Sequence, residues 1–218
     1  IFWISWGDNG FVKFDPGTGI RKRFVHDPSD PSSLSNRLVP SLLLDPLHPD
    51  SILWVGTGGG GLHRFDIKHN TFTRFTERDG LPNSFINGIL AEENGILWIS
   101  TNHGLSRFDP GVQGTKAFRN YDIADGLQSN EFNMGSCYKA KTGEMFFWGI
   151  GGMNVFYPKN IIDNPLPPPV VLTDFRISNK SVRFGENGSP LRMPVGESKE
   201  ITLSYRDNII GFEYAALT

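Results

Sequence analysis

An all-β array of four-stranded blades followed by a second β unit is the architecture this sequence predicts. Three observations predict it. The first is a recurring motif. Ile52-Leu53-Trp54-Val55-Gly56-Thr57 leads through glycines to Gly61-Leu62-His63-Arg64-Phe65-Asp66, and Ile96-Leu97-Trp98-Ile99-Ser100-Thr101 leads to Gly104-Leu105-Ser106-Arg107-Phe108-Asp109. An earlier copy joins Ile1-Phe2-Trp3-Ile4-Ser5 to Gly10-Phe11-Val12-Lys13-Phe14-Asp15, and a worn copy joins Met145-Phe146-Phe147-Trp148-Gly149 to Gly152-Met153-Asn154-Val155-Phe156. The second observation is spacing. Trp3, Trp54 and Trp98 stand 51 and 44 residues apart, the period of a four-stranded propeller blade. The third is the content of each copy: short β-branched and aromatic runs cut by Gly, Pro, Asn and Asp, with no 11-residue window of helical periodicity.

One blade reads in full between residues 85 and 122. Phe85–Glu92 is its inner strand. Glu93-Asn94-Gly95 is a tight turn, with Asn-Gly suited to the positive φ of a two-residue hairpin. Ile96–Thr101 is the second strand, Asn102-His103-Gly104 turns the chain, and Leu105–Asp109 is the third strand. Pro110-Gly111 opens the next turn, and Thr115–Tyr121 is the outer strand. Further inner strands are expected at Leu38–Leu44 and Phe132–Lys139, and outer strands at Ile20–Val25 and Thr71–Phe75. The first copy lacks an inner strand and the fourth an outer one. The expectation is a partial β-propeller of about three and a half blades that begins inside a blade.

After Pro158 the repeat stops. Residues 1–160 are read as the blades and 161–169 as a stiff linker, since Asn164-Pro165-Leu166-Pro167-Pro168-Pro169 favours extended backbone. Residues 170–218 are read as the first strands of a second β domain, at Val170–Ile177, Glu200–Tyr205 and Ile209–Ala215.

Composition excludes several functions. Over 218 residues the formal net charge is −2 with 20% charged residues, so no basic field exists to hold nucleic acid. Aromatics are 12%, with 17 Phe, which the repeated aromatic positions explain as core between sheets. The single Cys137 excludes an internal disulfide, and its place on an inner strand makes a buried thiol the plain reading. No apolar run is long enough to span a bilayer, and no signal peptide heads the chain. Asn179-Lys180-Ser181 fits a glycosylation acceptor, a tripeptide common by chance. No nucleophile elbow is present, and no Lys-Ser or Lys-Thr follows Gly58–Gly61 to make a phosphate loop. His103 has no second His at ligand spacing. No catalytic residue, metal ligand or cofactor is assigned. Glu92-Glu93-Asn94-Gly95-Ile96-Leu97-Trp98 is faintly similar to the aspartate-box turn of sialidases, a structural device.

Strand parity places the candidate site. In an up-and-down blade, the turn after strand two and the link into the next blade leave by the same end. Trp6–Asn9, Thr57–Gly61, Thr101–His103 and Gly149–Gly152 then share a face with the links 28–37, 79–84 and 125–131. That face carries the longer loops, where binding groups ride on a rigid scaffold. Recurrence separates scaffold from function. Trp54, Trp98, Gly80, Gly126, Leu34, Leu81, Leu127, Asn36 and Asn83 recur at matching positions, with Asn130 close by, and so solve a shared packing or turn problem. Asp66 and Asp109 recur before turns, where Asp caps backbone N–H groups.

The non-recurring residues of that face are the ligand-binding candidates: Trp6, Asp8, Asn9, Arg37, His103, Gln128 and Glu131. An indole stacks on a sugar ring and a carboxylate accepts its hydroxyl hydrogen bonds. The bland alternative is that Trp6 packs against the next blade and that the others are solvated loop residues.

The repeats resemble the two-component regulator propeller family, in the Leu-Trp-Ile strand, the Gly-Leu turn, the Arg-Phe-Asp strand and the loops Asp79-Gly80-Leu81-Pro82-Asn83 and Asp125-Gly126-Leu127-Gln128-Ser129-Asn130. A further loop, Ser33-Leu34-Ser35-Asn36, is a worn form. Leu203-Ser204-Tyr205-Arg206-Asp207-Asn208 and Phe212-Glu213-Tyr214-Ala215-Ala216-Leu217 resemble the immunoglobulin-like triple-tyrosine domain that follows such propellers. The resemblance implies the extracytoplasmic, periplasmic or extracellular, sensor part of a bacterial membrane-bound histidine kinase, often hybrid. It implies an oligosaccharide or other small ligand, a homodimer in the parent receptor, and contact with membrane only through segments outside this chain. It implies no enzyme activity for this segment. The expected mechanism is a ligand on the loop-rich face changing blade or dimer geometry, relayed by the Pro-rich linker. Rival readings are a protein-interaction propeller with no small ligand and, behind it, a propeller lyase or glycosidase.

Overall fold

The computed structural model describes residues 1–162 and 169–216. The described chain is all-β, with short 3-10 turns and no α-helix among the described residues. Two compact units divide it, Ile1–Ile161 and Ile162–Thr218. The Pro-rich segment 163–168, expected as a linker, and Leu217-Thr218 lie outside the described residues.

The first unit is four antiparallel blades in chain order. Blade 1 is β1 (Phe2–Ser5), β2 (Phe11–Phe14) and β3 (Arg21–Phe24). Blade 2 is β4 (Ser41–Leu44), β5 (Ile52–Thr57), β6 (Gly61–Asp66) and β7 (Thr71–Phe75). Blade 3 is β8 (Ile86–Ala91), β9 (Leu97–Thr101), β10 (Gly104–Phe108) and β11 (Phe118–Tyr121). Blade 4 is β12 (Phe132–Lys139), β13 (Met145–Gly149) and β14 (Gly152–Phe156). Among the described residues the first copy has no inner strand and the fourth no outer one, as the sequence reading expects.

Strand alternation builds the core. On β5, Leu53 and Val55 point to blade 1 and join Phe11, Phe24 and Phe65, while Ile52 and Trp54 point to blade 3 and join Leu97, Ile99 and Phe108. The pattern repeats one blade on, where Trp98 meets Met145 and Phe147. The second strands of blades 2 and 3, β5 and β9, are buried on both faces, so they read as continuous apolar runs. Rings tighten the contacts: Phe24 and Phe65 lie 4.7 Å apart edge-on, and Phe108 stacks on Phe118 at 4.3 Å. The inner strands are tied by Ile89 N–H donating to Ser41 Oγ at 3.1 Å and by Lys139 Nζ donating to the Ala91 carbonyl at 2.8 Å.

A buried tryptophan needs an acceptor for its indole N–H. Trp54 Nε1 donates to Asp45 Oδ2 at 2.8 Å, and Trp98 Nε1 donates to Glu92 Oε1 at 2.9 Å. Asp45 and Glu92 hold the same place, each donating its N–H across the first hairpin, to Ile52 and Ile96. In the worn fourth copy Ala140 fills that place, donating to Glu144, and Phe146 stands where the tryptophan was. Acid and indole are lost together, which marks them as one structural unit. Asp45→Ala orphans the buried indole N–H and is expected to cost about 2 kcal/mol, while Asp45→Asn keeps an acceptor and costs less. Urea unfolding of the two variants checks this.

Three local expectations are corrected. Thr115–Tyr121 is a strand only from Phe118, because Gly114–Ala117 forms a 3-10 turn opened by Gly114 at φ +70°. At Glu93-Asn94-Gly95 only Gly95 takes positive φ, at +90°, and Asn94 Oδ1 instead accepts from Ile96 N–H at 3.2 Å, so the hairpin is not a two-residue turn of paired positive φ. The inner strand expected from Leu38 begins at Ser41: Asn36 Oδ1 binds Leu38 N–H at 2.9 Å, and Pro40 has no N–H to give a ladder.

The second unit is an open sheet in the order β16 (Lys180–Ser181), β15 (Val170–Ile177), β17 (Ile210–Ala216). Phe175 and Leu191 are its buried apolar residues. Arg176 joins β15 to β17 by pairing with Asp174 at 2.8 Å and with Glu213. The strand expected at Glu200–Tyr205 is absent. That stretch is irregular and closes in a turn in which Asp207 N–H donates to the Ser204 carbonyl, and its strand-like alternation pairs with no strand among the described residues.

Candidate ligand-binding face

The loops expected to share a face do meet. Gly10 N–H donates to the Arg37 carbonyl, Gly61 N–H to Ser84, Gly104 N–H to Asn130 and Ile150 N–H to Glu131. Each bond ties a turn between strands two and three to a link between blades. The links are held by repeated devices. Thr76 and Asp122 cap 3-10 turns at Glu77–Asp79 and Ile123–Asp125 in capping boxes closed by Asp79 and Asp125. Gly80 and Gly126 then turn at φ +121° and +97°, and Leu81 plugs the core between blades 2 and 3.

Recurring polar residues serve turns. Asn36 and Asn83 each accept the N–H two residues on. In the last link this task passes to Ser129, whose Oγ accepts from Glu131 N–H at 3.2 Å, while Asn130 caps Ile123 N–H. Asp66 binds the N–H groups of Lys68 and His69, and Asp109 that of Gly111. Hydrogen bonds from the His69 ring and backbone hold the Asp66 carboxyl down at about 2.

The candidates sort by what they touch. Trp6 is 42% exposed, with the Arg23 guanidinium 4.5 Å from its ring centroid, so a cation covers part of the indole face. Asp8 and Asn9 are exposed in the 3-10 turn Gly7–Asn9 beside it. Arg37, His103 and Glu131 present exposed side chains on backbones pinned by the bonds above. Gln128 is different. Its Oε1 accepts from Gly151 N–H at 2.7 Å, its backbone N–H donates to Asn154 Oδ1 at 3.1 Å, and a Cβ on Gly149 would strike its Nε2 at 2.0 Å. Gln128 braces the last link against the turn of blade 4. Trp6, Asp8 and Asn9 stand together in one turn; His103 and Glu131 flank the bond between Gly104 and Asn130.

Sequence reasoning missed Asn87 and the β12 bulge. Asn87 is buried in a one-residue bulge of β8 and donates to Asn102 Oδ1 at 2.8 Å. In blade 4 the slip is larger: Phe132 pairs with Gly149 and Cys137 with Phe147, leaving Asn133, Met134, Gly135 and Ser136 off the ladder. Gly135 at φ +68° was the available signal. One interblade cleft, of about 290 Å³ and lined by Glu92, Lys139, Met145 and Tyr157, opens at the opposite end, while another, of about 190 Å³, is lined by Asp125, Gly126, Leu127 and Asn154 at the last link.

Half-buried Cys137 and buried His63 are not site chemistry. Burial pushes the Cys137 thiol up to about 11, so it stays protonated and unreactive at neutral pH. His63 on β6 is buried edge-on against Phe72 at 5.8 Å, and burial, helped by the Arg74 charge, lowers its pKa from 6.5 to about 4. The folded state holds it neutral. Between pH 6.5 and 4 the unfolded chain binds the extra proton, so stability falls as pH drops through that window and levels off below it. The loss reaches about 3 kcal/mol at pH 4. Melting temperatures at pH 7 and 4.5 should fall further for the wild type than for His63→Leu; equal falls would remove His63 from the acid response.

The class this geometry defines is a β-propeller blade array with its longer loops on one face. Residues 80–103 match the family described as two component regulator propeller, and the chain carries a repeat of that family there. Over 157 residues, 72% of this chain, it is 32% identical to histidine kinase P4 of Formosa agariphila, of whose length it spans 11%. Two extracellular domains from B. thetaiotaomicron, each ascribed to a hybrid two component system, are similar over 98% of this chain at 22% identity. Their TM-scores are 0.49 and 0.45, and the match covers 26% and 33% of those chains.

Proposed function

We propose that this chain is a ligand-sensing segment on the extracytoplasmic, periplasmic or extracellular, side of a membrane-bound two-component sensor. Its blades recognise an oligosaccharide on the loop-rich face. The second unit, read as the start of an immunoglobulin-like triple-tyrosine domain, passes the signal toward a kinase outside this segment, and the receptor works as a homodimer. The observation that carries the reading is the 32% identity with a histidine kinase over 157 residues of this chain. Agreement of the regulator propeller repeat with the strands and turns of blade 3 supports it. So does the exposed grouping of Trp6, Asp8 and Asn9 in one turn, which offers a ring face and hydrogen-bonding groups side by side. No helix among the described residues is long and apolar enough to cross a membrane.

Calorimetric titration of the complete ectodomain with a panel of plant and host oligosaccharides tests this. Saturable binding weakened by Trp6→Ala or Asp8→Ala is the expected result. Silence across the panel from a folded protein favours the protein-interaction reading.

A further inference from the structure

Trp148 departs from the repeat in a way the pairing register exposes. Gly56, Ser100 and Trp148 occupy one position: each follows the core tryptophan or its substitute by two residues and pairs with Leu62, Leu105 or Met153 respectively. In blade 2 this position has no room. A Cβ on Gly56 would lie 2.6 Å from Ile86 Cγ2 and 3.3 Å from Ile89 Cδ1, both on the inner strand of the next blade. In blade 3 Ser100 is buried. Blade 4 places an indole there, 38% exposed. A following blade packed as blade 3 packs on blade 2 would drive its inner strand into that ring.

The inner strand of blade 4 gives way at the same level. Gly56 and Ser100 each face a ladder partner on the inner strand, Ser41 and Gly88. Trp148 faces the bulge Asn133–Ser136, where the ladder is interrupted. Bulges of this kind re-aim side chains beside functional sites. Asn133, Met134 and Glu131 are exposed there, and Phe146 stacks on Trp148 at 6.0 Å with 19° between ring planes, fixing the indole. Trp148 adjoins the Gly149–Gly152 turn, which belongs to the loop-rich face.

We infer that Trp148 and the β12 bulge form a stacking subsite for a sugar ring at the loop-rich end of blade 4. The indole takes the apolar face of the ring, and the Asn133 amide with the Glu131 carboxylate takes its hydroxyls. This rests on the oligosaccharide reading above and adds Trp148 and Asn133 to the candidates of that reading.

The test has two arms on the complete ectodomain. Iodide quenching compares wild type with Trp148→Phe. The subsite requires Trp148 emission to be accessible without ligand; a shielded Trp148 means another blade covers it and overturns the subsite. Calorimetry then uses a panel of soluble tetra- to octasaccharides, neutral and uronic-acid-containing. Trp148→Ala should weaken binding at least about tenfold, as loss of a stacking anchor does, with Trp148→Phe retaining most of the affinity and the fold. Binding that Trp148→Ala leaves unchanged overturns the subsite while the oligosaccharide reading stands. No binding by the folded wild type overturns both.

Discussion

Gly104→Ala is expected to cost about 3 kcal/mol or more, while the same change at Gly152 costs about 1 kcal/mol. Both glycines open the third strand of a blade at positive φ, +91° and +137°. At Gly104 a Cβ would lie 2.2 Å from the Tyr121 carbonyl oxygen, backbone that moves only if the outer strand moves. Gly10 and Gly61 meet the same obstacle, the carbonyls of Phe24 and Phe75 at 2.0 and 2.2 Å. Gly152 has nothing within 4 Å, because blade 4 has no outer strand in the described chain. The recurring glycine is thus required by the fourth strand as well as by the turn. Urea unfolding of the two variants decides it: equal losses would mean that φ alone makes the glycine necessary.

Trp98→Ala is expected to destabilise the blade array by about 4 kcal/mol, the usual cost of removing a fully buried large aromatic. The ring is buried between blades 3 and 4, 4.7 Å from Phe156 and 5.6 Å from Tyr121. At about 2–4 °C per kcal/mol for a unit of this size, the melting temperature should fall by roughly 10 °C. Trp98→Phe combined with Glu92→Ala copies the solution blade 4 uses at Phe146 and Ala140. The double variant should lose less than its two single variants summed, since each single change leaves one partner unmatched. A strictly additive double variant would break the claim that acid and indole are one unit.

Much of the array was legible in the sequence because its period is long and its apolar faces repeat. Trp54 and Trp98 mark second strands buried on both sides, and Asp66, Asp109, Asn36 and Asn83 mark turns whose chemistry is local. What escaped is what one strand does relative to another. Nothing in the alternation of 132–139 announces that Asn133–Ser136 leave the ladder; only Gly135 hints at it. The link from Trp98 to Glu92 crosses a hairpin, and its meaning emerges from the joint loss at Phe146 and Ala140. Gln128 reads as a loop polar residue until Gly149 and Gly151 are seen beside it. Glu200–Tyr205 carries strand-like alternation yet pairs with no strand among the described residues. The site was legible as a face, through strand parity, and less so as residues, because Trp148 looks like wear in the repeat until register shows what it replaces.

The central claim is that recurrence marks scaffold and departure marks function. Melting temperatures of alanine variants across the two groups test it most directly. The account predicts clear losses at Asn36, Asn83, Asp66 and Asp109, and at Gln128, which has joined the scaffold. It predicts changes within about 2 °C at Asp8, Asn9, Arg37, His103 and Glu131, as for surface positions away from structural devices. Losses at those five equal to the losses at the recurring positions would contradict it.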